Sequence, residues 1–368
     1  MRGRPRNLKA VMGQTYTKQE QEPASEDVIE VAPGILRMQL PISMPGLGHV
    51  NCYALIDGDG VALVDPGLPG EDSWEALMHR LKQAEIPLER VHTTIVTHSH
   101  PDHYGGSAQL HEVAGAEILT HESFVSFSSE ANDDMGAEAL NMSDDEILQL
   151  WKTRMEAEQT AWGTNREAPP DEALLRFIRE GARSGQRFLT PAPTIRVADN
   201  AAMRFADRDW FCVHTPGHTI DHLCLWDPEQ GVLLSGDHVL PTITPHIAGS
   251  TDLEDPLATF FASLDRVAAL EGVTAVLPAH GHPMDEAAQR CGHIKIHHDE
   301  RLDVLRDAAE GLGDAPVDEW MKVLFRERSW GGMAASETYA HLEHLRILGE
   351  AATRRDADGL LFYEISAL

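Results

Sequence analysis

Basic residues are scarce in this chain: 30 Lys and Arg stand against 59 Asp and Glu in 368 residues, a formal net charge of −29. Such a field repels polyanions unless a local basic patch overrides it, so nucleic acid is disfavoured as a partner. Cysteine is scarcer still. The four present, Cys52, Cys212, Cys224 and Cys291, lie far apart with no CxxC spacing, which argues against a disulfide framework or a thiolate zinc site and fits a reducing cytoplasm best. No run reaches the roughly 18 apolar residues that a membrane-spanning helix needs, so no membrane partner is expected. Internal repeats and low-complexity tracts are also missing.

What is present is a globular composition with 42% hydrophobic residues, enough for one large domain and an appendage. The polar opening, residues 1–27, lacks the apolar core of a secretory signal and reads as a disordered arm. Its Arg-rich start leaves an organelle transit signal as the alternative. Short runs rich in branched residues follow, "GILRMQL", "NCYALID" and "GVALVDPG", each closed by Gly, Pro or Asp, and these predict paired strands. "EDSWEALMHRLKQAEI" has helical spacing. "RVHTTIVTHSHPDH" reads as a buried strand running into a histidine-rich loop.

Between residues 122 and 187 acidic helical segments replace the β pattern, which predicts a helical insertion. Strands resume in "TIRVADNAAMRFADRDWFCVHTPGHT", "HLCLWDPEQGVLLSGDHV" and "VTAVLPAHG", each ending in His or Asp. Alternating hairpins and helices predict two sheets covered by outer helices. From residue 293 to 368 three helical patterns precede a hairpin with the turn "DADG", the composition of a winged-helix unit. The body then spans residues 28–292. The helix expected to read a groove, "SETYAHLEHLRILGE", sets Glu337, Glu343 and Glu350 against Arg346 alone, so packing or a homodimer contact is expected of it rather than DNA binding.

The densest chemistry lies in "VTHSHPDHYGG", Val96 to Gly106. His98, His100, Asp102 and His103 are all ligand types for zinc and related divalent metals. His98 and His100 are two apart and project to one side of an extended chain, whereas Pro101 ends the strand and brings Asp102 and His103 round as a pair. One loop can thereby serve two metals, but two full sites need more ligands. His218 in "HTPGHT", Asp237 in "LLSGDHV" and His280 in "VLPAHGH" stand at strand ends, where loops can converge.

HxHxDH followed by Gly-Gly, then a downstream His, Asp and His, resembles the metallo-β-lactamase fold superfamily of metallohydrolases, over roughly residues 28–292. The tail resembles that of the branch containing the LACTB2-like hydrolases. The resemblance implies an α/β fold, a four-layer αββα sandwich with a helical insertion and a small C-terminal winged-helix domain. It also implies that His98, His100 and His218 hold one metal, that Asp102, His103 and His280 hold a second, and that Asp237 bridges them. Asp65 in "VALVDPG" would orient ligands from behind. Zinc is the expected metal, with iron and manganese as alternatives.

Many zinc β-lactamases of the superfamily carry a cysteine where Asp237 stands, so antibiotic hydrolysis is not the expected role. Two metals sharing a water and lowering its pKa would supply hydrolysis of a small carbonyl ester, and the resemblance implies an acyl thioester first, then a lactone or simple ester. Asp102 and Asp237 are the candidate catalytic carboxylates. The alternatives are an endoribonuclease of the LACTB2-like type and an iron-containing oxidoreductase. His238 and His246 are candidate substrate contacts, and His121 a candidate lining residue. Trp151, Met155, Trp162, Phe177 and Ile178 of the insertion are candidates for an apolar wall, and Ser43 to Asn51 for a flap.

Overall fold

The computed structural model describes residues 18–44, 46–125, 142–157, 159–164, 175, 190–249 and 251–366. The first sheet holds β1 (Val28–Ala32), β2 (Ile35–Met44), β3 (Leu47–Ile56), β4 (Val61–Val64), β5 (Val91–Ile95), β6 (Glu117–His121) and β7 (Ile195–Val197), adjacent in chain order. Pairing is antiparallel up to β4 and parallel from β4 onward. Parallel neighbours need a crossover. Helix α1 (Glu71–Gln83) supplies it between β4 and β5, and α2 (Pro101–Tyr104) with α3 (Ser107–Ala114) supplies it between β5 and β6. Within the insertion the described helix is α4 (Asp144–Ala157).

The second sheet runs in the spatial order β12, β11, β10, β9, β8, formed by β8 (Ala202–Phe205), β9 (Arg208–His214), β10 (Leu223–Asp227), β11 (Val232–Gly236) and β12 (Ala275–Pro278). Its one parallel pair, β11 with β12, is joined by α5 (Pro256–Ala268). That helix starts sharply because Asp255 accepts a hydrogen bond from the Ala258 amide at 2.9 Å while Pro256 needs no partner for its missing N–H.

Side-chain alternation along the strands produces the layers. Tyr53, Leu55, Ala62 and Val64 of the first sheet meet Leu223, Leu225, Val232 and Leu234 of the second in one core. The intervening Cys52, Ala54, Val61 and Leu63 turn outward onto Leu77, Leu81 and Leu110 of α1 and α3. Cys224, Trp226 and Leu233 turn the other way, onto Phe260 and Leu264 of α5. Apolar residues on both faces of every central strand make each sheet a buried layer, and the result is the expected αββα sandwich.

The C-terminal elements are α6 (Ala287–Leu312), β13 (Ala315–Pro316), α7 (Val317–Leu324), α8 (Gly332–Ile347), β14 (Ala351–Arg355) and β15 (Leu361–Ile365), the strands forming a small sheet in the order β13, β15, β14. Three helices and a hairpin match the sequence pattern. The expected boundary between residues 292 and 293 falls inside α6, which continues through it without a break. Leu302, Leu305, Trp320, Leu342 and Leu345 share one core with Phe260 and Leu264. The tail is therefore packed onto the body.

Order begins before residue 28. Gln19–Gln21 form a 3-10 turn, and Glu20, 2% exposed, accepts from the Thr242 hydroxyl at 2.7 Å. The arm expected through residue 27 is anchored from Lys18 because these contacts satisfy its polar groups. Ser43 to Asn51, expected as a flap, is mostly strand among its described residues: β2 runs to Met44 and β3 starts at Leu47. The Trp151, Met155, Phe177 and Ile178 side chains lie outside the described residues. Trp162 is buried in the C-terminal core against the ring of Tyr339, with centroids 5.3 Å apart. All four cysteines are buried free thiols. Among the described residues no helix is long and apolar enough to cross a membrane.

Candidate metal centre

Four strand ends build the site. After β5 the chain carries His98 and His100, and α2, opened by Pro101 at its first position, turns Asp102 and His103 inward. Gly105 and Gly106 lie so close to the segment after β4 that a side chain at either would strike Pro69, Leu68 or Pro66 backbone atoms. That explains the Gly-Gly pair. From the second sheet, His218 sits between β9 and β10, Asp237 just beyond β11 and His280 just beyond β12.

All seven candidate ligands converge. His100 Nδ1 lies 2.9 Å from His98 Nε2 and 3.1 Å from His218 Nε2, and Asp237 Oδ2 lies 4.0 and 3.7 Å from those two Nε2 atoms. On the other side, Asp102 Oδ2 is 3.5 Å from His103 Nε2 and 3.3 Å from His280 Nε2. Asp237 joins the halves, with Oδ2 3.6 Å from His103 Nε2 and Oδ1 3.3 Å from His280 Nε2. The donors thus form two clusters, His98–His100–His218–Asp237 and Asp102–His103–His280.

The ring tautomers are set from behind. Asp65, buried at the end of β4, accepts from the Thr97 amide at 2.9 Å, the Thr97 hydroxyl at 2.8 Å and His103 Nδ1 at 2.9 Å. Because the Thr97 proton is used on Asp65, its oxygen accepts from His98 Nδ1 at 3.1 Å, an assignment made from the hydrogen-bond network. His218 Nδ1 donates to the His246 carbonyl at 2.6 Å, and His280 Nδ1 to the His49 carbonyl at 2.8 Å. In each case Nε2 is left as a bare lone pair aimed at the cluster, the arrangement that metal ligation uses.

Two observations show that divalent metals fit. His103 Nε2, His280 Nε2 and Asp237 Oδ1 are buried with no hydrogen-bond partner, a costly arrangement unless a further group satisfies them. Three buried carboxylates, Asp65, Asp102 and Asp237, also demand positive charge. Burial would raise the Asp102 and Asp237 carboxyls, but His103 and His280 outweigh it and hold both well below the usual carboxylate range. Burial would likewise lower His103 and His280, yet Asp102 and Asp237 pull both up, with Asp65 adding to the effect at His103. By contrast His98 is driven well down, and His100 to about 3, by burial and neighbouring histidines. Imidazole and carboxylate donors suit zinc, iron and manganese.

The two candidate substrate contacts fare differently. His238 has no exposed surface and packs beside Phe260, ring centroids 5.1 Å apart, so it cannot touch a substrate. Its ring belongs to the core behind Asp237. His246 faces Glu337, with Nδ1 3.4 Å from Oε2, and its contribution to the centre is the carbonyl that receives His218. His121 is buried and stacked on His214 with centroids 3.7 Å apart.

Two residues outside the expected ligand set bear on the site: His222, which the sequence places behind the ligands or at the surface, and Asp221, which sequence reasoning missed. His222 Nε2 accepts from the Asp237 amide at 3.0 Å, and the Thr215 hydroxyl is 2.7 Å from its Nδ1. It stands so near Gly236 (φ +49°) that a Cβ there would come within 2.6 Å of the ring. Asp221 lines the cleft over His100 and His218; burial pushes its carboxyl up, Ser99 donates to Oδ1, and Oδ2 has no partner. Its signal is faint, one more acid inside "HTIDH". The cleft measures about 640 Å³ and its described walls include Ala161, Ala248, Gly249, Tyr339 and Glu343. The C-terminal helix α8 contributes Tyr339, Ala340 and Glu343 to this cleft, beside Val125 and Ala161 of the described part of the insertion.

A family model described as the metallo-beta-lactamase superfamily matches residues 45–280. The chain is 28% identical over 284 residues to the lactamase-like protein vrtG of Penicillium aethiopicum, covering 76% of this chain and 66% of that protein. It is 25% identical over 275 residues to the beta-lactamase-like protein 2 homolog of Caenorhabditis elegans, covering 73% and 69%. A third relative, the atrochrysone carboxyl ACP thioesterase of Aspergillus fumigatus, is 26% identical over 244 residues, covering 66% of this chain and 54% of that one. The chain thus spans about two thirds, or as little as half, of these relatives' lengths. Among solved structures, a metallo-beta-lactamase family protein from Thermus thermophilus superposes with a TM-score of 0.70 at 28% identity, covering 92% of this chain and all of that one.

Proposed function

The chain belongs to the metallo-beta-lactamase superfamily, and from that premise we propose that it is a dinuclear metal-dependent hydrolase of small carbonyl esters, acyl thioesters first, with lactones and simple esters next. The observation that carries this reading is the pair of ligand clusters joined through the two oxygens of Asp237. Thioester chemistry is supported by the similarity to a fungal thioesterase and by an open cleft beside the clusters. Fold-level likeness alone would leave the substrate undefined.

His98, His100 and His218 would hold one ion, Asp102, His103 and His280 the other, with Asp237 shared. When bound, two such ions polarise a carbonyl and lower the pKa of water towards neutrality. The chain's own groups do the rest. Asp65, directly and through Thr97, and the His246 and His49 carbonyls hold the rings of His103, His98, His218 and His280 in place as charge develops. Asp102, kept ionised by His103 and His280, can accept a proton at a carboxylate oxygen and return it to the leaving group. Ser99 and Asp221 offer hydrogen bonds at the cleft wall to orient the acyl portion.

A panel of acyl-CoA thioesters, lactones and single-stranded RNA, offered to metal-loaded protein and to Asp102→Ala, tests the reading. Ester or thioester turnover in the wild type, reduced about 10²–10⁴-fold in the variant, is expected. Turnover of RNA alone, or an unaffected variant, would reject it.

A further inference from the structure

Behind His218 lies a row of buried polar groups that ends on α8. The His246 carbonyl that receives His218 belongs to residues 241–249, a stretch without helix or strand. Such a stretch holds a carbonyl in place only as well as its own anchors do. Arg290 of α6 donates to the carbonyls of Leu240 and Ile243, at 2.6 Å each. On α8, the Ser336 hydroxyl accepts from the Gly249 amide at 3.0 Å, and Glu337 Oε2 faces His246 Nδ1. Arg301 of α6 pairs with the other Glu337 oxygen.

α8 is not free to do something else. No residue from Ala334 to Arg346 is fully exposed, and Glu337, Thr338, His341 and His344 are buried. The helix that a winged-helix unit would lay in a nucleic-acid groove is here enclosed. Its partly open residues Tyr339 and Glu343 face the cleft, and Trp162 backs Tyr339 from behind.

We propose that α8 is a working part of the active site. Ser336 and Glu337 are positioning residues that hold the His246–Gly249 segment, and through its carbonyl the ligand histidine His218, while Tyr339 closes the cleft on the substrate's far side. The proposal rests on the metal-centre reading above but needs no particular substrate. His298 and His341 also lie near Glu337, with His298 Nδ1 3.1 Å from His341 Nε2. Both Glu337 oxygens are already engaged by Arg301 and His246, which favours an anchoring role for this trio over a third metal.

Zinc content and affinity, read by chelator competition without substrate, give the test for full-length wild type, His246→Ala, Glu337→Gln and Tyr339→Ala, beside melting of each metal-free protein. His246→Ala removes the ring and keeps the carbonyl, so it serves even if Glu337→Gln fails to fold. Expected are two ions per wild-type chain, one bound about 10–100-fold more weakly in His246→Ala and Glu337→Gln, and near-normal melting of metal-free His246→Ala. Tyr339→Ala should keep both ions and raise KM several-fold with little change in kcat. Wild-type affinity in both His246→Ala and Glu337→Gln would overturn the proposal, as would a third ion lost on changing Glu337. Weakened zinc in the variants, with no ester turnover by wild type, would overturn only the assigned reaction.

Discussion

Asp65 shows how much one side chain controls at the metal centre. It sits at φ +53°, uncommon for a residue with a Cβ, and it stays there because its carboxylate receives three hydrogen bonds, two from Thr97 and one from His103. Through them it fixes the rings of both His98 and His103, which belong to different clusters. Asp65→Asn keeps the shape but exchanges one acceptor oxygen for a donor; since the Thr97 amide uses Oδ1 while the Thr97 hydroxyl and His103 share Oδ2, it cannot receive all three. We expect metal affinity to fall about 10–100-fold with the fold intact, as measured by zinc titration and circular dichroism. Affinity within twofold of wild type would show that the ligands orient themselves.

At the scale of elements, segments distant in sequence reach His103, His218 and His280 from behind. The Glu22 carbonyl is 2.7 Å from His49 Nδ1, and the His49 carbonyl receives His280, so the N-terminal strap steadies one cluster as α8 steadies the other. Glu337 gives α8 a pH signature. Burial would raise its carboxyl, but His246 and Arg301 outweigh it and bring it to about 2. A group whose folded value lies below its ordinary 4.5 adds stability that is complete above that value and is lost as pH falls towards about 2. The melting-temperature gap between metal-free wild type and Glu337→Gln should be full near neutrality, begin to shrink below about pH 4.5 and close near about pH 2. A gap independent of pH would mean that Glu337 is not ionised in the folded protein.

Across the whole molecule, the metal centre joins the two sheets. One ligand loop leaves the first sheet after β5, and three leave the second after β9, β11 and β12, so ions held there cross-link the two inner layers of the sandwich. Because the unfolded chain lacks the site, binding adds to folding stability, by about 4 kcal/mol per site at a thousandfold excess over Kd. Chelation should therefore lower the melting temperature by several degrees, and added zinc should restore it. An unchanged melting curve after complete metal removal would show that the apolar core between the sheets carries their association alone. The net charge of −29 acts at the same scale, by repelling polyanionic substrates at a distance.

The cluster of candidate ligands is legible in the sequence because its members stand at or just past the ends of apolar runs, and a run buried on both faces ends where the chain must turn outward to water. HxHxDH, His218, Asp237 and His280 can be gathered from order and residue type, and the sandwich from alternating branched residues. Tertiary structure decided what local pattern does not encode, which is the partner of each buried group. A histidine beside a ligand looks the same in sequence whether it faces a cleft or a phenylalanine, so His238 reads as a substrate contact although Phe260 packs against it. The boundary at residue 292 vanishes inside α6, because helical periodicity says which face is apolar but not that the body of the protein covers it. In sequence Glu337 is one acid on a groove-reading helix. Only long-range packing, which pairs it with Arg301 and turns it towards His246, makes it part of the metal centre.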